Sequence, residues 1–116
     1  MNIFVLHQSA PLAAKMHCDK HVVKMILEYC QLLSTAHRVL DEGELDPWMD
    51  ETLYKTTHKN HPSSVWVRQN ARNYQYVFDL LFSLHAEYKQ RYGKPHASWQ
   101  KLRFALCMYQ IGRAHV

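Results

Sequence analysis

The segment His17 to Leu40, H-C-D-K-H-V-V-K-M-I-L-E-Y-C-Q-L-L-S-T-A-H-R-V-L, decides the fold. Val22, Ile26, Tyr29, Leu33, Ala36 and Leu40 recur at steps of four and three, the spacing of one buried stripe on an α-helix. Met25, Leu32 and Val39 widen the stripe, while Lys20, Lys24, Glu28, Gln31, Thr35 and Arg38 fall opposite. The pattern predicts an amphipathic helix with one wet face rather than a membrane span. Its first turn gathers His17 and His21, four residues apart and on one side, with Asp19 and Lys20 between them.

Working outward, Asn2–Leu6 is a short β-prone run, expected as a strand or extended arm. Ser9 followed by Pro11 predicts a short helix to about Met16. Beyond Leu40, the segment with Gly43 and Pro47 has no sustained period and predicts a loop to about His61. Pro62 and Ser63 announce a second long helix, whose stripe is Val67, Ala71, Tyr74, Phe78, Leu81, His85 and Tyr88. Gly93 and Pro95 end it. A last helix from about Ser98 to Tyr109 offers Trp99, Leu102, Leu106 and Tyr109. The expected architecture is mainly α: two long antiparallel helices, short flanking helices, a short N-terminal extended segment, and a functional loop between the long pair.

The totals fit one domain, taken as residues 1–110. With 116 residues and 47% hydrophobic content the chain can bury a single core. Ile111 to Val116, I-G-R-A-H-V, can be encoded by the opening of a common sequencing adapter, and a CAG codon for Gln110 would supply the two bases before it. That tail is read as an artefact, with the natural chain expected to continue past Gln110, so that this one is C-terminally truncated. No long apolar run and no signal-peptide pattern occurs, which predicts a soluble, cytoplasmic protein. Cys18, Cys30 and Cys107 form no C-x-x-C pair and are expected as reduced thiols.

Six of the ten acids, Asp41, Glu42, Glu44, Asp46, Asp50 and Glu51, lie in one segment without Lys or Arg. The rest of the chain holds 14 basic residues against the four remaining acids. Such asymmetry favours a polyanionic partner, DNA first, with the acidic segment facing away or competing for the same basic surface; a solvated surface without a partner is the plainer alternative. Lys20, Lys24, Lys55, Lys59, Arg68 and Arg72 would form one phosphate-binding surface if the loop folds back over the start of the long helix. Asn60 would join it, with Tyr54 and Trp66 at the rim. Trp66 between two valines, and His85 on an apolar stripe, are more simply core residues, the histidine with a backbone partner.

His17 and His21 with His58 and His61 also have spacings that can close on one metal, so a zinc-dependent enzyme or metal-stabilised module is the alternative to a cofactor-free protein. Equally, these histidines, with Thr56, Thr57 and Asn60, suit hydrogen bonding to phosphates and bases. Cys18 beside two histidines offers a thiolate nucleophile only by adjacency. Glu28, the one acid on the polar face of that end, suits a general acid or base, or pairing with Lys24. A third class of function, docking of a host protein on apolar surface, would show binding that ignores salt.

The motifs M-N-I-F, H-C-D-K-H-V-V-K-M-I-L-E, L-S-T-A-H-R-V-L, Y-K-x-T-H-x-N-H-P-x-x-x-W and R-Y-G-K-x-H resemble a family of small tailed-phage proteins. The likeness extends to about Leu102. Some members are labelled pyrimidine-dimer DNA glycosylases, because their N-terminal part is similar to repair enzymes of the endonuclease V type. The resemblance implies a compact helical protein of the host cytoplasm that acts on DNA, using an N-terminal amine to form a Schiff base with help from a helix glutamate. Aligned on His17, that glutamate's position falls on Lys24, and Asn2 leaves Met1 in place. What carries over is the helical architecture, the histidine and the basic helix start. The spacing itself offers a substitute pair: Lys24 as Schiff-base nucleophile and Glu28 as acid one turn on.

Overall fold

The chain is described by a computed structural model covering residues 19–108, with side chains from 22 to 106. Five helices occur in that span: α1 Asp19–Leu40, α2 Pro47–Thr52, α3 Pro62–Val67, α4 Ala71–Tyr92 and α5 Ala97–Met108. Among the described residues there is no strand, and no helix long and apolar enough to cross a membrane. The expected Asn2–Leu6 strand, the helix near Ser9, and the side chains of His17, Cys18, Lys20, His21 and Tyr109 lie outside the described residues.

Helix α1 is the central element, packing against α3, α4 and α5. Val22, Ile26, Tyr29, Leu33 and Ala36 are all fully buried, as the four-three spacing requires, and Met25 and Leu32 join them. Burial goes further round the helix than an amphipathic stripe does. Cys30, Ser34, Thr35 and His37 have no exposed surface, so Thr35 does not belong to a wet face. The Cys30 thiol is pushed up to about 12 by burial and is chemically quiet. Helix α4 runs antiparallel to α1: near its start Tyr74 meets His37, and beyond its end His96 meets the backbone of Val23.

Two boundaries differ from the sequence reading. The acidic segment contains α2, whose N-cap Asp46 accepts from Met49 N–H at 2.8 Å with Pro47 in the first turn. Six residues with only Met49 buried give no period to detect. The second long helix is broken in two. Asn70, extended at φ −160°, restarts the chain as N-cap of α4, its side chain accepting from Asn73 N–H at 2.8 Å. Ala71 is consequently exposed rather than part of the stripe. Gly93, left-handed at φ 72°, ends α4 by donating its N–H to Lys89 O at 2.8 Å, a position that only glycine adopts without strain.

The long connection from α2 to α3 is fastened to the C-terminal half of α1. Thr35 Oγ1 and the Thr57 backbone exchange hydrogen bonds of 3.3 and 3.2 Å, and Tyr54 N–H donates to Ser34 Oγ at 3.3 Å. Arg38 completes the latch, donating from Nε to Tyr54 O, from Nη1 to Asp50 Oδ1, and from Nη2 to Asp50 O and Leu53 O. All four bonds lie between 2.7 and 2.8 Å.

Candidate functional site

The latch decides where the loop's polar residues go. Lys59 and Thr56 line a cleft of about 460 Å³ together with Arg38, Val39, Glu42 and Asp50, at the C-terminal end of α1. Arg38 follows Lys24 by fourteen residues, roughly 21 Å along a helix axis. The fold therefore does not join Lys55 and Lys59 to the start of α1. Arg72 is exposed in the first turn of α4, two residues before Tyr74, and so belongs to the loop's end of the molecule. Arg68, half-buried at the end of α3, reaches Ser64 Oγ at 3.4 Å. Lys24 and the described bases near the loop thus fall in two zones, one at each end of α1, instead of one surface. In the loop zone acids stand beside the bases: Glu42 and Asp50 share the cleft with Lys59.

His58, Lys59 and Asn60 are exposed. His58 has φ 50°, the one non-glycine residue with a positive φ among those described, and its carbonyl accepts from His61 N–H at 3.0 Å. A left-handed β-carbon-bearing residue costs on the order of 1 kcal/mol and turns its side chain outward here. His61 is the N-cap of α3, with Nδ1 accepting from Ser63 N–H at 3.1 Å. In the neutral ring the proton then sits on Nε2, making a donor suited to a phosphate or base oxygen; metal ligation through either nitrogen would require giving up the cap or changing the tautomer. His21 precedes Thr35 by fourteen residues, again roughly 21 Å, whereas His58 adjoins the Thr57 held by Thr35. His58 and His61 thus stand at the loop's end of the molecule, the side chains of His17 and His21 lie outside the described residues, and among the described residues no three His, Cys, Asp or Glu side chains gather as a metal site.

At the other end, Lys24 is exposed and Glu28 half-buried, one helical turn apart. Neither side chain makes a hydrogen bond or ion pair with another described residue. Beside them stands a histidine pair that sequence reading did not find. The His96 backbone N–H donates to His85 Nε2 at 3.2 Å, while His96 Nδ1 accepts from Ser98 N–H at 3.1 Å and caps α5. The Val23 backbone accepts a hydrogen bond from the His96 ring, which ties the start of α5 to the start of α1. His85 stacks on Trp99 with centroids 4.9 Å apart. Burial, and then the charges of His96, Lys89 and Arg103, push its imidazole down to about 4. Burial likewise lowers His96. The cations whose charges reach His85 are Lys89 and Arg103, from the far halves of α4 and α5. The backbone partner expected for His85 is present. The H in R-Y-G-K-x-H, His96, is the residue whose linking role the sequence left unread.

The arrangement is that of a helical domain carrying an amine, a carboxylate and cationic surface on its central helix. The family model described as pyrimidine dimer DNA glycosylase matches residues 1–101, and the chain belongs to that family. Membership gives it a role in DNA repair or processing at the level of the family. Neither a curated protein nor a solved structure matches the chain.

Proposed function

We propose that this protein is a glycosylase and lyase acting on damaged DNA, with Lys24 as the amine nucleophile and Glu28 as the acid beside it. The observation that carries the reading is the Lys24–Glu28 pair, one turn apart and with no side-chain partner among the described residues, inside a chain of the pyrimidine dimer DNA glycosylase family. In this scheme the Lys24 amine attacks C1′ of the damaged nucleotide. The N-glycosidic bond breaks, and its electron pair leaves with the base, which takes a proton from Glu28. The nitrogen lone pair then forms a second bond to C1′ as the C1′–O4′ bond breaks, O4′ taking up the proton that the attacking amine releases, and a Schiff base on Lys24 results.

His17 and His21, seven and three residues before Lys24 in sequence, are assigned to positioning the nucleotide. Lys20 would meet a phosphate at this end, and Lys55, Lys59, Asn60, Arg68 and Arg72 would do so at the other, with His58 and His61 donating beside them. A phage origin, and work in the host cytoplasm, belong to the same reading.

Borohydride trapping tests it. Incubated with ultraviolet-irradiated duplex and reductant, the wild-type chain should become covalently joined to DNA, and Lys24→Arg should not. Glu28→Gln should slow adduct formation by about 10²-fold or more. Equal trapping by Lys24→Arg would move the nucleophile to another amine.

A further inference from the structure

Helices α4 and α5 leave two large aromatic rings in solvent. Phe82 is 57% exposed and Phe104 54% exposed, whereas Trp99 next to Phe82 is nearly buried. The Phe82 ring meets Trp99 edge-on, with centroids 5.6 Å apart, so it is braced from below. The Arg103 guanidinium lies over the Phe104 ring at 4.6 Å. Rings held this far out of a core contribute little to folding.

The charge around them selects among occupants. Helix α5 carries Lys101 and Arg103 and no acid. On α4, Lys89 stands two turns beyond Phe82, on nearly the same line along the helix. The acids of α4 are already engaged: Glu87 with Arg91 at 3.2 Å, and Asp79 with Gln75 at 2.8 Å. An apolar protein surface would gain nothing from these cations, and an acidic peptide would not need the flat rings. A nucleotide uses both, since its base stacks on an aromatic face and its phosphate meets Arg or Lys.

We infer that Phe82 on α4 and Phe104 on α5 each stack an unpaired base of DNA, with Arg103, next to Phe104, meeting the adjoining phosphate. This inference rests on the reading of the protein as DNA-acting. It assigns the exposed aromatics to strands already opened, where bases offer their faces, and not to intact duplex.

The test is binding of the full chain to a fluorescent single-stranded oligothymidylate and to a duplex of equal length, across a salt series. Phe82→Ala and Phe104→Ala should each weaken single-strand binding about tenfold, with little change for the duplex. Phe104→Leu should be as weak as Phe104→Ala, and Phe104→Tyr should bind like wild type, which separates stacking from general apolar contact. Arg103→Ala should reduce the salt slope by about one phosphate contact, and the Phe variants should leave the slope unchanged. Unchanged melting curves would show that these surface variants are folded. Wild-type affinity in Phe104→Leu, or in both Ala variants, overturns the stacking surface while leaving the DNA reading intact. Failure of the wild-type chain to bind either oligonucleotide at low salt overturns both.

Discussion

The Nε2 atom of His37 lies 2.7 Å from the hydroxyl of Tyr74, and that hydroxyl stands 3.1 Å from the carbonyl of Leu106. Through one phenol, α1, α4 and α5 are tied together inside the core. When Tyr74 donates to Leu106, it accepts from His37 Nε2–H. His37 Nδ1 then faces Asp41 Oδ2 at 3.4 Å, a partner that favours the charged ring, while burial acts more strongly to lower the imidazole's pKa. Tyr74→Phe removes the shared hydroxyl and leaves a buried carbonyl and a ring nitrogen short of a partner. A loss of about 1–3 kcal/mol in chemical denaturation is expected; a loss below about 0.5 kcal/mol would show that the tie is not structural.

Arg38 offers a second stability test. Its planar fork serves Asp50 and the carbonyls of Leu53 and Tyr54 at once, which a lysine ammonium cannot reproduce. Arg38→Lys should cost about 1–3 kcal/mol and speed amide exchange at Leu53 to Thr57 before it does so in α4. Uniform exchange across the molecule would contradict the latch.

Acid should loosen the end of the molecule that carries Lys24. A histidine titrates near 6.5 when unfolded, whereas His85 in the fold is held at about 4. The unfolded chain therefore binds the extra proton first. The stabilisation is complete above about pH 6.5 and is lost as pH falls toward 4, a change of at most about 3 kcal/mol. His96 and His37, also lowered, act with the same sign. His85→Gln, which can still accept from the His96 N–H, should flatten the fall in melting temperature between pH 7 and 4.5. A slope equal to that of wild type would place the acid sensitivity elsewhere.

Much of this was legible in the sequence, and the reasons are specific. Val22 to Ala36 declared α1 because the helix buries a long stripe, and Gly93 with Pro95 declared the end of α4 through chain geometry alone. The α2 helix and the break at Asn70 were not legible, since a six-residue helix shows no period and the apolar spacing of Val67, Ala71 and Tyr74 runs straight across the break. For the proposed site, the one-turn separation of exposed Lys24 and half-buried Glu28 followed from spacing. Its companions did not. Whether the loop bases join Lys24 depends on Thr57 binding Thr35, and the His85–His96 contact depends on the α4–α5 turn; both are tertiary facts that no local pattern encodes.

His58 gives a test in which stability and binding part company. With φ 50° it strains the backbone, so His58→Gly should raise stability by about 1 kcal/mol. If the imidazole donates to DNA, the same change should weaken duplex binding several-fold. A stabilised variant with unchanged affinity would remove His58 from the interface.

The most direct test of the central claim is binding of the full chain to a fluorescent duplex, undamaged and ultraviolet-irradiated, from low to physiological salt. The account predicts tighter binding to irradiated DNA, an affinity that falls steeply with salt, and a uniform drop on Lys20→Ala and on Lys59→Ala. Equal affinity for the two duplexes would contradict damage recognition, and no binding at low salt by the folded chain would contradict action on DNA altogether.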